Sequence, residues 1–298
     1  MSVAALPSTR LSTYKIVKMQ RSFHVIVLLL LASRGLSWKK GVVFGGGEWS
    51  ADGAGFGTPS AAAALEALAS TGADHVRILA TEFQNYSNTT SIGPIAGRSP
   101  LASSTVVQLR ATIRAAHALK LSVFLAPILD QSWDIPTNGR SITPAPGATW
   151  TKRQDIGATF TEAQWREWFA SYTKYILPLA RLAHDEQIAM FEVCSELDTA
   201  LSTRGAQWRV LIAEVRAVYG GAIHVAATTD ALAKMTFIDA LDALGVDAYY
   251  GLGETLQLGA VPTVDSLVAA WAPTAMLLNA LSTKWKKPIL FTEVRAAY

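Results

Sequence analysis

Seven short apolar segments recur along this chain with amphipathic stretches between them, and this alternation constrains the fold more than any other feature. The segments are GVVF (41–44), HVRILA (75–80), LSVFLAP (121–127), IAMFEVC (188–194), AIHVAA (222–227), VDAYY (246–250) and PILFT (288–292). A strand with one wet face alternates apolar and polar residues. These segments do not alternate, as expected of strands covered on both faces. The intervening SAAAALEALAS, STVVQLRATIRAAHALK, TEAQWREWFASYTKYILPLARLAHD, QWRVLIAEVRAVY, TFIDALDAL and DSLVAAWAPTAMLLNALS carry helical spacing. Thr161-Glu-Ala-Gln164 opens the third as a capping box. Strands and helices in turn mean parallel strands joined by right-handed crossovers. The expected fold is α/β, a (β/α)8 TIM barrel lacking its eighth strand and helix at the C-terminus. A doubly wound open sheet is the competing architecture.

The first 37 residues stand apart. Arg10, Lys15, Lys18, Arg21 and Arg34 lie there with no acid, which leaves −2 of the formal +3 charge on the remainder. Nothing in that remainder suggests a basic nucleic-acid footprint. The apolar run FHVIVLLLLA follows the basic residues and leads into SRGLS. A positive head, an apolar core of about ten residues and a small-residue exit describe a signal peptide. A spanning helix needs about 20 apolar residues, so an uncleaved anchor or an internal hydrophobic segment is the secondary reading. Residues 1–37 are therefore expected to be a signal peptide and 38–298 one barrel domain, secreted and monomeric. The sequons Asn85-Tyr-Ser and Asn88-Thr-Thr suit that route. Cys194 is the only cysteine, so no internal disulfide forms, and a small buried hydrophobe is its expected role.

In a barrel the chemistry sits where strands end at their C-terminal side. Those positions hold Glu48 and Trp49, Arg77 with Thr81 and Glu82, Asp130, Ser195 with Glu196 and Asp198, Asp230, Tyr249 with Tyr250, and Glu293. The five histidines show neither His-x-His nor His-Glu-x-x-His spacing, so no metal is expected. A Gly-x-Ser-x-Gly elbow is absent. GAGFGTPSAAAALEAL imitates a dinucleotide fingerprint, but Thr58 stands where its third glycine would fall and the turn is not tight against GVVF. No organic cofactor is expected either.

Paired carboxylate chemistry remains. Glu196 ends the fourth segment and Glu293 the seventh, on opposite sides of a barrel mouth. Retaining glycoside hydrolysis needs two carboxyls about 5–5.5 Å apart, one ionised nucleophile and one protonated acid. Arg77 is placed to supply Glu293 with a cation. Trp49, Trp133, Trp150 and Tyr250 are candidates to stack on sugar faces. Asp130 and Asp230 either bond sugar hydroxyls or cap the helices that follow. The connection 128–160, with Trp133 and Trp150, has the length of a specificity loop.

These segments resemble the clan A glycoside hydrolases, and within them family 113, the β-mannanase-like barrels. FEVCSELDTA is similar to the family segment that carries the acid/base, which the resemblance assigns to Glu196. KPILFTEV is similar to the nucleophile segment and implies that role for Glu293. ALGVDAYYGL implies that Tyr249 contacts the nucleophile. Many clan members carry Asn before the acid/base to bond the sugar 2-hydroxyl, whereas this chain has Ser195. The resemblance implies a polysaccharide substrate. The alternative is a secreted barrel that binds carbohydrate without cleaving it.

Overall fold

The computed structural model describes residues 27–31, 40–45, 55–94, 104–131, 152–250 and 263–294, with the backbone alone for 27–31. Eight strands close a ring in chain order: β1 (Val27–Leu31), β2 (Lys40–Phe44), β3 (His75–Gln84), β4 (Ser122–Gln131), β5 (Met190–Ser195), β6 (Ala222–Ala227), β7 (Leu244–Ala248) and β8 (Ile289–Val294). From β2 to β8 every neighbouring pair is parallel. This is the expected α/β barrel, seven parallel strands with helices between them.

The place of an eighth parallel strand is taken by β1. It runs antiparallel to β2, with Leu28 opposite Gly41, and antiparallel to β8, with Leu30 opposite Leu290. The apolar run expected to be a signal core thus supplies the seam strand in this structure. A strand here gives β2 and β8 partners for edges that would otherwise be bare.

Helices α1 (Pro59–Ser70), α2 (Val106–Ala118), α3 (Glu162–Asp185), α5 (Gly205–Val218) and α7 (Val264–Trp285) form the outer layer, with the short α4 (Asp198–Thr203) and α6 (Thr229–Lys234) at the ends of β5 and β6. The stretch TFIDALDAL does not form the expected helix. Only Ile238–Ala240 makes a 3₁₀ turn, and α6 supplies the crossover to β7. Threonines start most of these helices: Thr105 with Gln108 and Thr161 with Gln164 make full capping boxes. The glycine-rich stretch before α1 ends in the same device. Gly57 turns with φ +76°, and Thr58 accepts the Ala61 N–H.

Helix α3 is hydrogen-bonded to three of the strands. Its inward face is Trp165, Trp168, Phe169, Tyr172 and Ile176, all buried and at helical spacing. Trp168 Nε1 donates to the Gln84 side-chain oxygen Oε1 at 2.9 Å, and Tyr172 donates to the Val193 backbone carbonyl at 2.9 Å. Tyr175 donates to the carbonyls of Ala80 and Ile128. One helix therefore pins β3, β4 and β5 near the ends that carry candidate site residues. Helix α7 contrasts with it, leaving Val264, Val268, Met276 and Leu277 exposed. It is long and apolar enough to cross a membrane by length and composition, but it serves here as the crossover between β7 and β8.

Inside the ring, Phe124 clusters with Ala243 and Leu290 and packs its ring edge-on to His75 and His224. Beyond this apolar plug the buried groups turn polar: Arg77, Glu192, His224, Asp247 and Thr292. Gly245 makes space for them. A Cβ there would stand 2.0 Å from the Val225 carbonyl oxygen and 3.0 Å from both the His224 ring and the Thr292 methyl. Gly245→Ala is expected to destabilise the fold by about 2–3 kcal/mol, since a backbone oxygen cannot step aside. Urea unfolding of the pair of proteins measures it.

Candidate active site

Arg77 lies within β3 and faces the barrel interior, because its partners come from β5 and β8, strands that do not neighbour β3. Its Nε and Nη2 donate to Glu192 Oε2 and Oε1 at 3.0 and 2.8 Å, a two-pronged grip. Its Nη1 donates to Glu293 Oε1 at 2.8 Å. Burial opposes the arginine's charge, but Glu192, Glu293 and Asp247 more than reverse that, and its pKa is raised. Burial also pushes Glu192 up, and here Arg77 and His224 prevail, so its pKa falls below the ordinary value. His224 touches Glu192 through Nε2 at 3.2 Å.

Glu293 is therefore held on both oxygens. Arg77 takes Oε1 and the Tyr249 hydroxyl donates to Oε2. Burial and the Glu293 charge raise the Tyr249 pKa, keeping the phenol a donor. The pairing of Arg77 with Glu293 is the one expected from sequence, and the contact from Tyr249 is the one the resemblance implied. Tyr249 lies just past β7, where the register shifts between Val246 and Asp247 and sets Asp247 opposite Glu293. Bulges recur beside active sites because they re-aim side chains.

Glu196 occupies a different setting. It follows a second register shift in β5 and takes a left-handed backbone with φ +50°, a strained choice for a residue with a Cβ. Its N–H donates to the Ala226 carbonyl at 2.8 Å as the chain turns into α4. Burial raises its pKa above the ordinary carboxylate value; Arg153 opposes this, while Glu293 and Asp198 add to it. The two glutamates thus sense one another's charge, Glu293 between Arg77 and Tyr249 and Glu196 beside Arg153.

The other candidates divide. Asp130 is buried and pairs with Arg153 Nη2 at 3.1 Å. Ser195 is buried, with Oγ 3.4 Å from Arg77 Nη2, so it faces the arginine. Tyr250 bonds the Thr229 hydroxyl and packs edge-on against Trp271 with centroids 5.2 Å apart, which makes it a wall residue. Asp230 is exposed in the first turn of α6, whose cap is Thr228. Trp49, Trp133 and Trp150 lie outside the described residues. Cys194 is buried, as expected, and burial raises its thiol pKa. No group of three metal-ligating side chains occurs among the described residues.

Several residues had gone unremarked. Glu192 left a usable signal, a charge within the otherwise apolar IAMFEVC, because a buried charge calls for a partner. Asp247 left the same signal in VDAYY. Arg153 and Gln154 sit in a long connection without periodicity and left none.

The sequence profile of Glycoside Hydrolase Family 113 matches residues 47–297. The chain belongs to this family. It is a glycoside hydrolase by that membership. A GH113 β-mannanase of Alicyclobacillus acidocaldarius, solved with the ligand ManMIm, superposes with a TM-score of 0.63 at 23% identity, over 84% of this chain and 68% of that one. A GH113 β-1,4-mannanase complex gives 0.61 at 24% identity, over 84% and 69%. These likenesses confirm the barrel. No curated protein matches the chain.

A cavity of about 530 Å³ lies beside this network rather than on it, between the loop after β3 and the first turns of α3. Asn85 and Asn88, the two sequon asparagines, are exposed on its wall.

Asp247 yields a stability prediction. It is buried; Thr292 donates to Oδ1 at 2.6 Å, and Oδ2 has no partner. Burial, and next to it the charge of Glu293, raise its pKa well above the ordinary value. The folded state then holds a proton that the unfolded chain has released, so stability falls with rising pH between the two pKa values, by about 1.4 kcal/mol per pH unit. Asp247→Asn, a neutral isostere, is expected to remove that decline. Thermal unfolding from pH 4 upward shows it as a flatter profile.

Proposed function

We propose that this family 113 chain is a secreted, retaining β-glycosidase acting on β-1,4-mannan or a similar β-linked polysaccharide. The observation that carries the reading is the unequal treatment of two carboxylates at one barrel mouth. Glu293 is gripped by Arg77 and Tyr249. Glu196 is raised by burial. Unequal environments of this kind separate a nucleophile from an acid.

In the first step a Glu293 oxygen bonds the anomeric carbon as the glycosidic C–O bond breaks, and Glu196 gives its proton to the departing oxygen. In the second, Glu196 takes a proton from water, the water oxygen bonds the anomeric carbon, and the bond to Glu293 breaks. Arg77 and the Tyr249 hydroxyl stabilise the carboxylate before attack and after release. Mannan as the substrate is supported by the β-mannanase relatives in the family, and secretion by the basic and apolar N-terminal run.

Replacing Glu293 or Glu196 with Gln is expected to lower release of reducing sugar from soluble β-mannan by about 10³-fold. Proton NMR of fresh product should show the β-anomer first. Saccharide binding by the unsubstituted protein without any turnover of β-glycans would instead establish a binding barrel. Secretion predicts a mature N-terminus near residue 38 and a mass loss on enzymatic removal of N-glycans from Asn85 or Asn88. Such cleavage would also remove β1, so the mature seam between β2 and β8 would need another partner.

A further inference from the structure

The 3₁₀ turn Arg153–Asp155 has no part in the two-glutamate scheme, yet it sets two side chains on one oxygen of Glu196. Gln154 donates Nε2 to Glu196 Oε2 at 2.9 Å, and Arg153 Nε lies 3.8 Å from that same oxygen. The turn is anchored on both sides. Arg153 Nη2 pairs with the buried Asp130 at the end of β4, at 3.1 Å. The Gln154 carbonyl accepts the Thr199 hydroxyl of α4 at 2.7 Å, within the helix that follows Glu196. The turn is closed internally by the Lys152 N–H donating to Asp155 at 2.9 Å.

An oxygen that accepts an amide N–H beside a guanidinium is a poor seat for a proton, because an O–H there would meet donors where it needs an acceptor. The proton of the acid form therefore resides on Oε1. We propose that Arg153 and Gln154 form a positioning clamp which reserves Glu196 Oε2 for one fixed donor, the Gln154 amide, beside the Arg153 charge, and leaves Oε1 as the oxygen that delivers the proton to the leaving group. The clamp rests on the acid/base reading of Glu196 given above.

Its electrostatic role follows. The charged and titratable groups facing Glu196 include Arg153 and Arg77 on one side and Glu293, Asp198 and Asp247 on the other, and Arg153 acts most strongly against burial. An acid/base must both hold and release its proton within a turnover, and works best with a pKa near the operating pH. Arg153 keeps burial from carrying Glu196 too high.

The test uses the full chain with ¹³C-labelled glutamate and follows the Glu196 carboxyl by NMR titration, its signal assigned with Glu196→Gln. Arg153→Gln is expected to raise the Glu196 pKa by about 1 pH unit or more, since an opposite charge at this range lowers a carboxyl by about 1–3. Arg153→Lys, which keeps the charge, is expected to remain near the unsubstituted value. Kinetics supply the second readout. Arg153→Gln and Gln154→Leu should lose roughly tenfold on manno-oligosaccharides, whose leaving oxygen needs the proton, and less than about twofold on a dinitrophenyl β-mannoside, whose leaving group does not. An unchanged Glu196 titration in folded Arg153→Gln, or equal losses on both substrates, overturns the clamp. If the unsubstituted protein cleaves neither substrate, the glycosidase reading fails and the titration still decides the placement. Should Arg153→Gln not fold, the substrate contrast in Gln154→Leu decides it.

Discussion

One guanidinium, that of Arg77, is shared between a buried carboxylate and an accessible one, and the arrangement of the barrel mouth depends on it. Glu192 and Arg77 are almost entirely removed from water, whereas the side chain of Glu293 retains 18% of its exposure. Each buried ion costs several kcal/mol in lost hydration, so the pair is tolerable only with close geometry and filled hydrogen bonds. The two-pronged contact with Glu192 supplies that geometry. It also uses up two faces of the guanidinium fork and leaves Nη1 directed at Glu293. An interaction deep in the ring thereby sets the position of a carboxylate at its rim.

Such a contact spans strands that are far apart in sequence and not adjacent in the sheet. Arg77 and Glu293 are 216 residues apart, and Arg77 and Glu192 are 115 apart. Only a closed ring brings β3, β5 and β8 across a common interior. The aromatic face of α3 holds the first side of that ring, with tyrosine and tryptophan donors bonded to β3, β4 and β5. The register shifts in β5 and at β7–β8 then place Glu196, Asp247 and Tyr249 out of the regular pleat. Regular pairing builds the frame, and its two interruptions build the site.

The glutamates differ in their partners. Glu293 accepts from Arg77 and Tyr249. Near Glu196 burial outweighs the arginine. Asp247 stands beside Glu293 as a third carboxyl that burial keeps from ionising easily. Like charges crowded into one mouth oppose one another's ionisation, which adds to burial in raising Glu196 and Asp247.

The segment AIHVAA became β6 with no change in its bounds, since a short apolar run of β-branched and small residues has few other uses. HVRILA and LSVFLAP instead extend to Gln84 and Gln131, because β3 and β4 keep pairing residue for residue beyond the apolar run. Pairing of that kind is a property of the neighbour. TFIDALDAL failed as a helix for the same reason, with tertiary packing overriding spacing. The sequence by itself determined an α/β fold of alternating helices and parallel strands and the two glutamates at strand ends, because local periodicity and strand-end position follow from short-range chemistry; closure into a ring in chain order came from the tertiary structure. Only the tertiary structure decided that Glu192 and Asp247 are buried in the charge network, that Arg153 and Gln154 reach Glu196, and that Val27–Leu31 closes the ring. Those facts depend on contacts between segments far apart in the chain, and no local pattern records them.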